Sequence, residues 1–297
     1  MTTNKISDEW ENYVSTSAFK SKYTITSYKN AHKRLTDYLG IPINQAKADE
    51  IIEAIDAIAN NPNTKASLLN VGIIFSGISN RDGEVKKLLK HKLVLKEEIN
   101  KHRIKSGIEK GLSLPSKPEL LQRLKQLYVD EKWRDYIILW LIINYNTRNA
   151  DVNLEIVNSI HATKKDKNKN YLVRRKEDFV FIRNNYKTSK TYGTKKHYFK
   201  SQHMSRAVRY FINENPPDIR LFLFNNNGEK MSELSLTNKI KSISGGLTES
   251  DINKILVSAI EDVADYNSLK QLSERRGTDV DTLINHYNLK FQAKDIL

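Results

Sequence analysis

The chain has no cysteine. That excludes a disulfide framework, thiolate catalysis and a zinc site built on cysteine. An apolar signal core is also missing, since the segment from Met1 to Trp10 is polar. Long hydrophobic runs are absent too. The longest, Tyr136 to Ile143, falls far short of the roughly 20 residues needed to span a bilayer, and it reads as a buried helix. No internal repeat or low-complexity tract breaks the pattern of an ordinary globular chain.

What the chain does have is positive charge. Its 297 residues carry 49 Lys and Arg against 35 Asp and Glu, a formal net charge of +14. Such a balance favours a polyanionic partner, because basic side chains release counterions from phosphates and steer encounter. A hydrophobic content of 39% with 28% charged residues fits a folded protein better than a disordered one. The length favours two domains, each able to bury its own core.

Residues 1–105 read as an all-helical domain. Thr24 and Thr26 are candidate caps for a helix that Gly40 and Pro42 end. Further helices are expected over Gln45 to Ala59, from about Thr64, and from about Gly83 past Glu98. A basic, glycine-punctuated stretch, 106–118, reads as the linker, and 119–297 as the second domain. In that domain two helices precede the turn at Arg148. Three short β segments follow, Tyr171 to Arg174, Asp178 to Ile182 and His197 to Phe199, with a further extended piece at Leu221 to Phe224. Helices then cover about 201–213, 232–244, 248–264, 266–276 and 278–287. The expected class is therefore mainly α with a small antiparallel β-sheet.

Three segments carry residue types suited to phosphate chemistry. In Tyr145-Asn146-Thr147-Arg148-Asn149-Ala150-Asp151-Val152, an arginine follows an apolar helix. Its planar guanidinium can hold two phosphate oxygens, which lysine does less well. The plainer reading is a helix-end arginine that satisfies carbonyls or pairs with Asp151 or Glu155. In Tyr186-Lys187-Thr188-Ser189-Lys190-Thr191-Tyr192-Gly193, an apparent hairpin tip offers Lys187, with Lys190 as its rival, for proton donation. The third segment runs from Arg275 to Asn288 and ends in His286-Tyr287. There Tyr287 is either a nucleophile or a ring packed on an amphipathic helix beside Leu283.

Arginine, lysine and tyrosine in this order and context resemble the tyrosine recombinases, most of all the divergent integrases of eukaryotic DNA viruses and mobile elements. The resemblance implies a helical (SAM-like) core-binding domain followed by an α+β catalytic domain. It implies DNA cleavage and rejoining through a 3′-phosphotyrosine, with no metal and no cofactor. Tyr287 would attack phosphorus, Arg148 would clamp the phosphate, and Lys187 would protonate the leaving 5′-oxygen. Arg174, Arg175, Lys190, Lys195 and Lys196 would line the duplex. Double-stranded DNA and a homo-tetramer on DNA are the implied partners, in an intracellular compartment: nucleus, cytoplasm or viral factory.

The sequence departs from the family at one place. The helix expected to carry a His-x-x-Arg motif reads Ser250-Asp251-Ile252-Asn253-Lys254-Ile255. Asn253 takes the arginine place, Lys254 is the nearest cation and would substitute in part for that arginine in catalysis, and Thr278 stands at the later His or Trp position. A DNA-binding protein of this fold that has lost catalysis is the competing expectation. A basic RNA-binding module is a weaker one, because the recognition strings of such domains are missing.

Overall fold

A computed structural model describes residues Trp10, Tyr13, 22–176, 178–199, 201–215, 230–260 and 266–288. The chain divides into two compact units, Met1–Ser106 and Gly107–Leu297.

The first unit is built from helices α1 (Lys22–Leu39), α2 (Ala48–Ile58), α3 (Pro62–Ile78) and the first part of α4 (Asp82–Leu112). Gly40 stops α1 in a left-handed conformation (φ 66°), its N–H bonded to the Thr36 carbonyl at 3.0 Å. Thr24 and Thr26 lie inside α1 and do not cap it, because the helix already runs at Lys22. Asn61 caps α3, its side chain accepting from the Asn63 and Thr64 N–H groups, with Pro62 at the first helical position. Leu35, Ile51, Ile55, Leu68, Leu69 and Phe75 form the core. Helix α4 continues to Leu112, so most of the expected linker is helical. Its glycines are not enough to break a helix whose other residues favour it.

The second unit opens with α5 (Lys117–Val129) and α6 (Trp133–Tyr145). Ser116 and Glu119 form a capping box at the start of α5. The apolar run of α6 is buried, as its sequence indicates. Then come β1 (Leu154–Val157), β2 (Asn170–Arg174), β3 (Phe179–Arg183), the single turn α7 (Ser189–Tyr192) and β4 (Lys195–Tyr198). The unit closes with α8 (Gln202–Glu214), α9 (Glu233–Ser244), α10 (Glu249–Ser258), α11 (Tyr266–Arg276) and α12 (Val280–Tyr287).

The class is mainly α with a small sheet, of strand order β1-β2-β3-β4. The three expected strands pair antiparallel, but β1 adds a parallel edge, Leu154 facing Asn170. The sheet is therefore mixed. Strand β1 escapes a pattern search because it is only four residues long and follows directly on the Arg148 turn. The expected extended piece at 221–224, and the tail beyond Asn288, lie outside the described residues.

Candidate active site

Helix α6 ends at Asn146, which takes the left-handed conformation (φ 51°). Asparagine tolerates this conformation better than most residues. The reversal releases Thr147 and Arg148 from the helix, and a tight helical turn, Asn149–Val152, follows at once. Asp151 closes that turn by accepting from the Arg148 backbone N–H at 3.0 Å. It also takes the side chain of Arg183, which comes from the end of β3 and is fully buried. A buried carboxylate left without that cation would be costly, so the pair fixes the turn against the sheet.

The turn between α11 and α12 is the meeting point. Arg148 Nη1 donates to the Arg276 carbonyl at 3.2 Å, Thr188 Oγ1 to the Gly277 carbonyl at 2.5 Å, and Arg183 Nη1 to the Arg275 carbonyl at 2.6 Å. Three successive carbonyls thus hold the Arg148 turn, the β3–β4 connection and the end of β3. Gly277 has φ 70°, and a Cβ there would stand 2.7 Å from Thr188 Oγ1 and 2.8 Å from Tyr186 Cε2. Only glycine fits both demands.

Arg276 is the residue that sequence reasoning passes over. Its side chain is buried, and Nη2 donates to Glu249 Oε1 at 2.6 Å and to Tyr287 Oη at 3.2 Å. The guanidinium carbon lies 5.0 Å from the Tyr287 ring centroid. With the Asn253 amide oxygen turned toward it, Nε and Nη1 donate to that oxygen at 3.2 and 3.3 Å. Nη1 also reaches Asn146 Oδ1 at 3.5 Å. A guanidinium therefore sits beside Asn253 after all, supplied by the last residue of α11 and not by α10. The double arginine at 275–276 is the only sequence signal, and it reads equally well as an ordinary basic helix end.

Electrostatics separates the two arginines. Burial, then the neighbouring Arg276, holds the Arg148 pKa below the usual arginine value, opposed by Asp151 and Glu249. Burial also works against charge on Arg276, but Glu249, followed by Tyr287, outweighs it and the net shift is upward. Both stay cationic at neutral pH.

The lysines differ in setting. Lys187 is exposed, one residue before Thr188. The expected hairpin tip is folded instead into the α7 turn, on which Lys190 is exposed. Lys195 is half-buried directly opposite Arg183 in the β3–β4 pairing, with Nζ 5.5 Å from the Tyr186 ring centroid and 5.4 Å from that of Tyr192. Burial, then Arg183, draws its pKa down to about 8.

Arg174 and Lys196 are exposed. Arg175 is paired with Asp178 at 3.1 Å. Lys254 is half-buried on α10, and Thr278 follows Gly277 with its N–H on the Ser273 carbonyl at 3.1 Å. The described residues contain no cluster of side chains able to hold a metal ion, and none of their helices is long and apolar enough to cross a membrane.

Among solved structures, the chain is similar to the XerA recombinase, at 12% identity and a TM-score of 0.39 over 99% of this chain and 97% of that one. No family model and no curated protein matches the sequence.

Proposed function

We propose that the chain is a DNA strand transferase of the tyrosine-recombinase kind, acting as a site-specific recombinase or integrase on double-stranded DNA. The observation that carries this reading is the Arg276 bridge. Its carbonyl holds the Arg148 guanidinium, and its side chain holds the Tyr287 hydroxyl. One residue thus joins a phosphate-clamping group to a nucleophile encoded far downstream.

Tyr287 Oη attacks phosphorus and its proton passes to water. The P–O bond to the 5′-oxygen breaks, leaving a 3′-phosphotyrosine, and that oxygen takes a proton from a lysine. Arg148 and Arg276 stabilise the charge that builds on the non-bridging oxygens. Lys187 is the donor by resemblance. Lys195 is the donor favoured by its setting, because a pKa of about 8 gives up a proton near neutrality more readily than an ordinary lysine. Arg174, Arg175, Lys190 and Lys196 contact the duplex backbone, which positions DNA without reading its sequence. Lys254 adds positive charge on α10, and strand exchange between two duplexes calls for a tetramer.

A nicked suicide duplex tests this. The wild-type chain should form a covalent protein–DNA adduct. Tyr287→Phe should form none while binding DNA with nearly unchanged affinity, since only one hydroxyl is lost. Lys187→Ala and Lys195→Ala, compared on the same substrate, identify the proton donor as the variant with the larger loss. Tight duplex binding without any wild-type adduct would favour the second reading, a DNA-binding protein of this architecture without catalysis. The replacement of arginine by Asn253 on α10 is what keeps that reading alive.

A further inference from the structure

The two arginines differ in how many hydrogen-bond donors they leave open. A guanidinium has five N–H groups. Among the described residues, that of Arg148 donates to the Arg276 carbonyl alone. Its other N–H groups meet no acceptor among the described residues, so it can receive an anion as it stands. Arg276 is spent. Nε and Nη1 serve Asn253 and Asn146, while Nη2 serves Glu249 and Tyr287. No N–H remains for a phosphate.

We propose that the Glu249 carboxylate holds the place of a phosphate oxyanion between Arg276 and Arg148, and that an incoming phosphate displaces it. Glu249 is the shortest contact of Arg276, at 2.6 Å, and the one partner that is both anionic and reachable from solvent. Asn253 and Asn146 are buried and neutral, and they bond each other at 2.5 Å. The same carboxylate acts on Arg148 across the site. It therefore neutralises, in the empty protein, two cations that would otherwise repel each other.

Nη2 bonds both Glu249 and the Tyr287 hydroxyl. An oxyanion that takes the carboxylate's place on that nitrogen is thereby set beside the nucleophilic oxygen. Release of Glu249 is local, because α10 does not rely on it for capping. Thr248 and Asp251 form the capping box, with Thr248 N to Asp251 Oδ2 at 3.0 Å. Identification of the anion as a DNA phosphate rests on the proposed function. Phosphate binding by the pair does not.

The test is calorimetric titration of the full chain with inorganic phosphate. Glu249→Gln keeps the shape and one acceptor but loses the charge. It should bind phosphate about tenfold tighter than wild type, the size of one charge-assisted hydrogen bond. Glu249→Asp, too short to reach Nη2, should gain similarly and serves if the glutamine variant folds poorly. Adding Arg276→Met to either variant should erase the gain. Duplex DNA should compete with inorganic phosphate in the Glu249→Gln chain if the bound anion is a DNA phosphate. Phosphate and duplex binding independently would mark a free-phosphate site with the same carboxylate placeholder. Unchanged or weaker phosphate binding in both single variants would overturn the proposal, as would a gain that survives loss of Arg276. A gain in phosphate affinity without any adduct on nicked duplex would uphold it while removing the strand-transfer reading.

Discussion

The two units bury different things. Among the described residues of the first unit, the buried polar side chains are His32 and Ser76, set in a core of aliphatic residues with Trp10 and Phe75. The second unit buries Asn146, Asp151, Arg183, Asn253 and Arg276, which the Arg275 and Arg276 carbonyls and the Arg276 side chain link to the Arg148 turn, as well as further polar groups. Burying charge costs free energy that a hydrophobic residue of similar volume would not, unless the partners are well placed. A fold that accepts that cost in one unit and avoids it in the other shows where fixed charge is needed. The first unit's interior serves stability, whereas the second unit's holds guanidinium groups in place.

Removing one buried charge from the second unit should cost the most. Arg183→Ala leaves Asp151 buried without its cation and should cost about 3–5 kcal/mol in urea unfolding. Leu69→Ala in the first unit makes only a cavity, and should cost about 3 kcal/mol. The two should differ in kind as well. Leu69→Ala should leave phosphate titration unchanged, while Arg183→Ala, in a chain still folded at low temperature, should weaken it. Equal effects on phosphate binding would erase the distinction between the units.

Next in size is Gly277→Ala, expected to cost about 2 kcal/mol. It forces an L-residue into the left-handed region and pushes a methyl against Thr188 and Tyr186. The same substitution should reduce adduct formation, because that turn ties both the Arg148 turn and the Lys187 segment to α12.

Acid provides the finest test. Burial, then Arg183, holds the His197 pKa down at about 3, against about 6.5 when unfolded. Between those values the unfolded chain binds more protons, so stability is intact above about pH 6.5 and declines as pH falls toward 3. Between pH 6.5 and 5 the decline should reach about 2 kcal/mol from this one group. His197→Phe, which retains a ring against Tyr145 at the position now 4.3 Å from it, should flatten that slope in a urea series. An unchanged slope would place the acid sensitivity elsewhere, with the buried His32 of the first unit, whose pKa burial also lowers, the next group to examine.

Much of this architecture was legible in the residues. The apolar run of α6, the Gly40 stop and the strands at β2 and β3 follow from local periodicity and backbone preference, which act over a few neighbours. So does the turn after Asn146 that presents Arg148. Helix α3, by contrast, starts at Pro62, two residues before the expected Thr64, because the Asn61 side chain caps it. The positions of Tyr287 and Lys187 were readable from short strings of sequence.

Other features depend on distance in space. The continuation of α4 to Leu112 is a contest between helix propensity and glycine that no local rule decides. Strand β1 is too short to announce itself, and it pairs in parallel because β2 is there to receive it. The α7 turn replaces a hairpin tip because Thr188 is drawn to the Gly277 carbonyl. Above all, the sequence placed Asn253 on α10 where the resemblance called for an arginine, and it could not show that Arg276 takes up the space beside it. Arg276 reaches Asn253 only because Gly277 turns left-handed and because Asn146, Glu249 and Tyr287, from three other helical segments or their ends, supply its partners. A side chain's chemistry is written at its own position, but what its donors meet is decided by every element that packs around it.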